Sequence, residues 1–188
     1  MYIIAGKLKG KKLASCKTDS IRPAMALVRK SIFDTLQDFV QGSNVLDLCA
    51  GSGVLGIEAL SRNAKELTLI DSDRESIRLI RKNLELCNLN AKVVHGNLPK
   101  SLNKVKDKKF DLIFLDPPYG NSSFIEETLS KIHTNEMLAK EGLILIESES
   151  KSDYKLPEGI KVHKEKKFGN TKITFLKCHS RESGNPVE

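Results

Sequence analysis

The sequence predicts an α/β fold: a mostly parallel, doubly wound sheet, closed by an antiparallel C-terminal hairpin and preceded by a short N-terminal β-hairpin and a helix. Three observations lead there. Short apolar runs alternate with segments of helical periodicity from Val45 to Glu147. Strands joined through helices need crossovers, which are right-handed and make neighbouring strands parallel. The last two strand-like runs, Ile160 to Lys166 and Lys172 to Lys177, are separated by Phe168-Gly169-Asn170, and Gly-Asn is turn chemistry.

In chain order, Tyr2 to Ala14 reads as two short strands broken at Gly6 and Gly10, with Lys7, Lys9 and Lys11 at alternate positions and so on one strand face. From Pro23, which suits a first helical turn, Met25, Val28, Ile32, Leu36 and Phe39 recur at helical spacing until Gly42 stops the helix. Val45 to Cys49 then reads as a strand, Val54 to Arg62 as a helix, and Glu66 to Ile70 as a strand. Ile77, Ile80, Leu84 and Cys87 mark another helix face, followed by strands at Ala91 to His95 and Phe110 to Leu115. A helix near Phe124 to Ile132 and a strand Leu143 to Glu147 lead to the closing hairpin. Residues 1–42 thus form a basic extension, 43–177 the core, and 178–188, which lack any apolar period, a disordered tail.

A chain of 188 residues with 39% hydrophobic content can bury one real core. The net charge of +7 favours a polyanionic partner over a membrane, and five of those charges fall in residues 1–44. Cys16, Cys49, Cys87 and Cys178 are scattered without a C-x-x-C pair, which fits reduced thiols in the cytoplasm. The start Met1-Tyr2-Ile3-Ile4 runs straight into Gly6 and lysines, and no apolar run approaches a membrane span, so a soluble, untargeted chain is expected. The four histidines are dispersed and suggest no metal.

Ligands of open α/β sheets bind beyond the carboxyl ends of the strands, so four such ends carry the functional reading. The first is Asp47-Leu-Cys49-Ala-Gly51-Ser-Gly53, a glycine turn into a helix that lets a ligand approach the backbone. Gly51, Gly53 and Gly56 also fit the dinucleotide fingerprint, so this turn alone does not separate a methyl donor from a nicotinamide cofactor. The second ends at Asp71, placed to accept from two ribose hydroxyls or to cap the next helix, a task Ser72 or Asp73 could equally perform. The third ends at Asn97 and Leu98, suited either to an adenine edge and face or to an ordinary turn.

The fourth separates the cofactor readings. Phe110 to Leu115 runs into Asp116-Pro117-Pro118-Tyr119, where two prolines fix a turn and donate no N–H. A carboxylate and a carbonyl held side by side can accept both hydrogens of a planar –NH2 and turn its lone pair toward an electrophilic methyl, while Tyr119 stacks on the base. The plain alternative is a turn with a core tyrosine.

D-P-P-Y behind a D-x-x-x-G-x-G turn resembles the amino-group class of class I S-adenosylmethionine-dependent methyltransferases, whose fold is Rossmann-like. Ile3 to Leu13, Arg22-Pro23 with Val28-Arg29 and Ile32-Phe33, Gly56 to Arg62, and Glu147-Ser-Glu149 are in turn similar to the RsmD family, over about residues 2 to 177. That resemblance implies an rRNA (guanine-N2)-methyltransferase acting on bacterial 16S rRNA or the small subunit, with S-adenosyl-L-methionine as donor and S-adenosyl-L-homocysteine as product. It implies a catalytic set of Asp116, Pro117, Pro118 and Tyr119, and cofactor contacts from Asp47, Cys49, Gly51, Gly53, Asp71, Ser72, Asn97 and Leu98. Candidate RNA contacts are Lys7, Lys9, Lys11, Lys12, Arg22 and Arg29, in a chain expected to act as a monomer. The stretch Arg22-Pro-Ala-Met-Ala-Leu-Val-Arg-Lys30 departs from the family's polar R-P-T-x-D-R-V-R-E. Competing readings are a DNA adenine-N6 or cytosine-N4 methyltransferase, disfavoured because the chain leaves no room for a sequence-reading module, and a non-catalytic rRNA-binding assembly factor.

Overall fold

The apolar runs become the middle of a single sheet. In a computed structural model, which describes residues 1–15, 23–117 and 121–178, seven strands are hydrogen-bonded side by side. They are β1 (Asn44–Leu48), β2 (Glu66–Asp71), β3 (Lys92–His95), β4 (Phe110–Leu115), β5 (Leu138–Glu149), β6 (Ile160–Phe168) and β7 (Thr171–Cys178), in the order β3-β2-β1-β4-β5-β7-β6. Pairing is parallel from β3 through to β5, and β7 runs antiparallel to both β5 and β6. The doubly wound arrangement and its closing hairpin are as the sequence predicts.

Side chains alternate along each strand, so each strand feeds two layers. On one face Val45, Leu67, Leu69, Phe114 and Leu145 pack under α1 (Pro23–Leu36), α2 (Val54–Ser61) and α3 (Arg74–Leu86). On the other, Leu46, Leu48, Ile113, Leu115 and Ile146 meet α4 (Ser122–Thr134) and the short 3-10 turn Lys100–Lys104. Phe33 of α1 meets Phe114 edge to face, ring centroids 6.0 Å apart.

The N-terminal segment departs from expectation. Instead of two strands, Tyr2 and Lys12 form an isolated antiparallel bridge, and Gly6–Leu8 is a 3-10 turn. Glu58 of α2, fully buried, holds this segment, its carboxylate accepting from Ile4 N at 2.7 Å and Ala5 N at 3.0 Å. Ser61 continues the seam, accepting from Leu8 N at 2.9 Å and donating to Ala5 O at 2.6 Å. Gly6, at φ +78, leaves no room for a side chain, since a Cβ there would meet Ser61 O at 2.0 Å. Lys7, Lys9 and Lys11 therefore do not share a strand face.

Two smaller differences concern α1 and β5. Val28, Ile32 and Leu36 are buried, but Met25 is 56% exposed; the helix stops at Leu36, and a 3-10 turn Gln37–Val40 precedes Gly42. β5 begins at Leu138 rather than Leu143 because Phe110 pairs with Leu138 ahead of a register shift. The stretch 179–188, expected to be a tail, lies outside the described residues. No helix among the described residues is long and apolar enough to cross a membrane.

Candidate active site

The first strand end is built around Asp47. Its side chain leaves β1 on the α2 face, is 1% exposed, and accepts from Gly56 N at 3.0 Å through Oδ2. Gly56 serves packing: a Cβ there would stand 2.6 Å from Leu67 Cδ1 and 3.1 Å from Asp47 Oδ2. Cys49, Gly51 and Gly53 all have positive φ (57, 55 and 75°), so every second residue bends the chain back and curls it over the start of α2. A Cβ on Gly51 would meet nothing within 4 Å, so that backbone faces open space, as close approach by a ligand requires.

At the second strand end Asp71 is nearly buried. Its Oδ2 accepts from Gly51 N and its Oδ1 from Asp73 N, both at 2.8 Å, which fixes the carboxylate beside the glycine turn with lone pairs to spare. Capping of α3 falls to Asp73, whose Oδ2 accepts from Ser76 N at 2.8 Å, so the cap role considered for Asp71 and Ser72 is filled elsewhere. Ser72 is exposed, with its carbonyl 3.0 Å from His95 Nε2. Beyond β3, Gly96 N donates to Asp71 O at 2.9 Å, which brings the third strand end alongside the second. Asn97 is exposed, its carbonyl accepting from Ser101 N at 2.9 Å, and Leu98 is half-buried.

Asp116 closes the group. Its N–H donates to Leu48 O at 3.3 Å, which ties the Asp116-Pro117 turn to the end of β1. Leu48 pairs with Leu115, and Leu115 with Ile146, so Cys49, Asp116 and Glu147 follow at one level across three strands. Desolvation, then the charges of Glu147 and Asp47, push the Asp116 carboxyl well above its ordinary value. Asp47 is raised to about 7, chiefly by burial and further by Asp71, against the lowering effect of the Gly56 hydrogen bond. Burial, then Asp71, Asp116 and Asp47, push the Cys49 thiol up to about 12. Pro117 is buried; Pro118 and Tyr119 lie outside the described residues.

Burial and like charges raise the proton affinity of Asp47 and Asp116, and a cation placed among them would relieve that cost. A sulfonium donor fits this requirement. Asp47, Cys49, Gly51, Gly53, Asp71 and Asp116 thus gather at the carboxyl ends of β1, β2 and β4, with Ser72, Asn97 and Leu98 beyond β2 and β3.

Two site residues escaped sequence reasoning. Asn83 is fully buried; its Oδ1 accepts from Ala14 N at 2.8 Å and its Nδ2 donates to Ser52 O at 2.9 Å, joining the N-terminal segment to the glycine turn. A polar residue three positions after Ile80, on the buried face of a helix, was the available signal. Glu147 was legible as the acid ending Leu-Ile-Leu-Ile, just as Asp116 ends Leu-Ile-Phe-Leu.

The basic candidates do not gather at these strand ends. Lys7, Lys9, Lys11 and Lys12 are exposed, but the turn carrying Lys7 hangs from Ser61, the last residue of α2, which runs from the glycine turn back toward the amino ends of the strands. A hollow of about 580 Å³ lined by Gly6, Asp34, Asp38 and Arg62 lies at that remote end, away from the carboxylates. Arg29, expected to meet phosphate, is corrected: it is 7% exposed, its Nη2 donates to Tyr2 O at 2.7 Å, and its Nε lies 4.0 Å from Glu58. Burial, partly offset by Glu58, lowers its pKa. Arg22 lies outside the described residues.

Comparison with known proteins agrees with this architecture. Residues 1–177 match the family described as Conserved hypothetical protein 95. Ribosomal RNA small subunit methyltransferase D of Escherichia coli is 37% identical over 169 residues, spanning 89% of this chain and 84% of that one. The protein of the same name from Buchnera aphidicola is 34% identical over 167 residues, spanning 88% and 87%. The solved structure of yhhF from Escherichia coli superposes with a TM-score of 0.82 at 32% identity, covering 96% of this chain and 99% of that one. With its class I methyltransferase fold, the chain belongs to the family described as Conserved hypothetical protein 95, the RsmD family.

Proposed function

We propose that this protein methylates ribosomal RNA, transferring the methyl group of S-adenosyl-L-methionine to the N2 amine of one guanine in bacterial 16S rRNA, as a monomer in the cytoplasm. The observation that supports this reading above others is the position of Asp116, a carboxylate at the end of a central strand, held against the end of β1, with Asp47, the glycine turn and Asp71 at the neighbouring strand ends. The relatives named as small-subunit rRNA methyltransferases point to the same substrate class.

Asp47, Gly51 and Gly53 would hold the methionine part of the donor, Asp71 the ribose, and Asn97 with Leu98 the adenine. Bound there, the donor supplies an electrophilic methyl group on a positively charged sulfur. Asp116 accepts a hydrogen from the guanine amine, turns its lone pair toward that methyl, and offsets the positive charge that grows on nitrogen. Because its carboxyl sits well above the usual range, Asp116 is also a competent acceptor for the proton the amine must release. A stacked base cannot enter such a cleft, so the guanine is looped out or flipped.

The test compares methylation of 16S rRNA from cells with and without the gene, and from cells carrying Asp116→Ala. One guanine N2 methyl group should vanish in both the deletion and the variant, while purified Asp116→Ala keeps donor affinity within a few-fold. An unchanged rRNA methylation pattern, or substantial turnover by folded Asp116→Ala, refutes the proposal.

A further inference from the structure

β6 is a free edge of the sheet, bonded to β7 on one side only. Residues 160–178 carry Lys161, Lys164, Lys166, Lys167, Lys172 and Lys177 against a single acid, Glu165. Two of these lysines are engaged: Lys166 donates to Ser31 Oγ at 3.0 Å, and Lys172 lies 3.7 Å from Glu165 and donates to Ser152 O at 3.0 Å. Lys161, Lys164 and Lys167 are exposed and make no ion pair among the described residues. At roughly 3.3 Å per residue these three span about 20 Å of the edge.

The hairpin tip lies level with the proposed catalytic carboxylate. Lys166 pairs with Ile173 and Ile173 with Glu147, while Lys167 pairs with Lys172 and Lys172 with Ser148. Asp116 stands at the level of Glu147, because Leu115 pairs with Ile146. Three strand spacings, about 14 Å, therefore separate Asp116 from the edge at Lys166 and Lys167, while Lys164 and Lys161 lie further along it, level with Leu145 and Leu143. Lys7, by contrast, hangs from the remote end of α2.

We propose that the β6 edge binds phosphates of the substrate RNA that flank the target nucleotide. The inference rests on the RNA reading above. Charge complementarity and the place of Lys167, next to Lys166 at the level of Asp116, support it, and a looped-out base needs its neighbouring backbone held near the site. The plain alternative is that edge lysines only prevent edge-to-edge strand pairing. Lys→Glu separates the two, because a glutamate edge still resists pairing yet repels phosphate.

The experiment measures binding of the full chain to 16S rRNA and to small subunits, both lacking the methyl group, across a salt series. Lys161→Gln/Lys164→Gln/Lys167→Gln should flatten the slope of log affinity against log salt by about two units, at 0.7 to 0.9 per lost phosphate contact. Lys161→Glu/Lys164→Glu/Lys167→Glu should bind RNA more weakly still, with donor affinity and the choice of guanine unchanged. Lys7→Gln/Lys9→Gln should lose less than either. An unchanged slope and affinity in the glutamate variant overturns the inference, as does self-association of the glutamine variant without any loss in the glutamate one. Wild-type protein that methylates no rRNA instead sinks the functional reading itself.

Discussion

Asp47 trades stability for charge. Burial raises its carboxyl from 3.8 to about 7, so the unfolded chain releases this proton near pH 4 while the folded chain holds it until about pH 7. Folding stability from this group is complete at low pH, falls as pH rises between those values, and stays low above them. Asn keeps an oxygen for Gly56 N but cannot ionise. Asp47→Asn should match wild type near pH 4 and exceed it above pH 7, by up to about 4 kcal/mol, in denaturant unfolding at a pH series, while donor binding weakens. A difference that does not grow with pH would contradict the assignment. Asp116 is raised in the same way, first by burial and then by the charges of Glu147 and Asp47. In the proposed mechanism it is ionised when it accepts the amine, so acidification should quench the rate at a pH above the ordinary carboxylate range. Glu147→Gln removes one like charge and should move that acid limb of the kcat/KM profile to lower pH. A profile that keeps its position leaves Glu147 without influence on Asp116.

At the scale of elements, α2 joins the glycine turn to a clamp on the N-terminal segment. Its start carries the glycine turn, and its later residues Glu58 and Ser61 hold the N-terminal segment. Glu58 also accepts from Arg62 Nε at 3.0 Å and faces the buried Arg29. Arg62 in turn covers the Phe33 ring, 4.6 Å from its centroid, so one acid links α2, α1 and the first residues of the chain. Glu58→Gln leaves buried donors unmatched and Arg29 without its counter-charge. It should cost about 3 kcal/mol or more in denaturant unfolding, and the loss should appear as early hydrogen exchange at Ile4 and Ala5. Protection at these amides equal to wild type would contradict the clamp.

For the whole molecule, the extension and the core behave as one packing unit. Ile3, Leu13, Val28, Ile32, Phe33 and Leu36 are buried in the same cluster as Val45, Leu69 and Phe114. Each such side chain contributes about 1.5 to 3 kcal/mol by leaving water, and their sum is comparable with the net stability of an ordinary domain. Residues 43–177 alone should therefore fail to give cooperative thermal unfolding, whereas the full chain should unfold in one transition by calorimetry. An isolated core with a sharp transition near that of the full chain would show the extension to be independent.

Strand and helix order, the parallel sheet and the identity of the strand-end acids were already legible along the chain. These follow from local periodicity and from the rule that such sheets present ligands at strand ends, and neither needs long-range information. The sequence also carried enough family-like motif order to place the chain with its relatives. Only the tertiary structure decided what the charged residues face. Arg29 reads as a basic surface residue until Tyr2 O and Glu58 are brought around it from 27 and 29 positions away. The lysines near the start read as a strand face until the 3-10 turn Gly6–Leu8 breaks the alternation. Glu147 and the β6 lysines acquire their relation to Asp116 only through sheet register, which sets β4, β5, β7 and β6 side by side. Backbone propensity and polarity patterns are written along the chain, but electrostatic partners are chosen across it by packing.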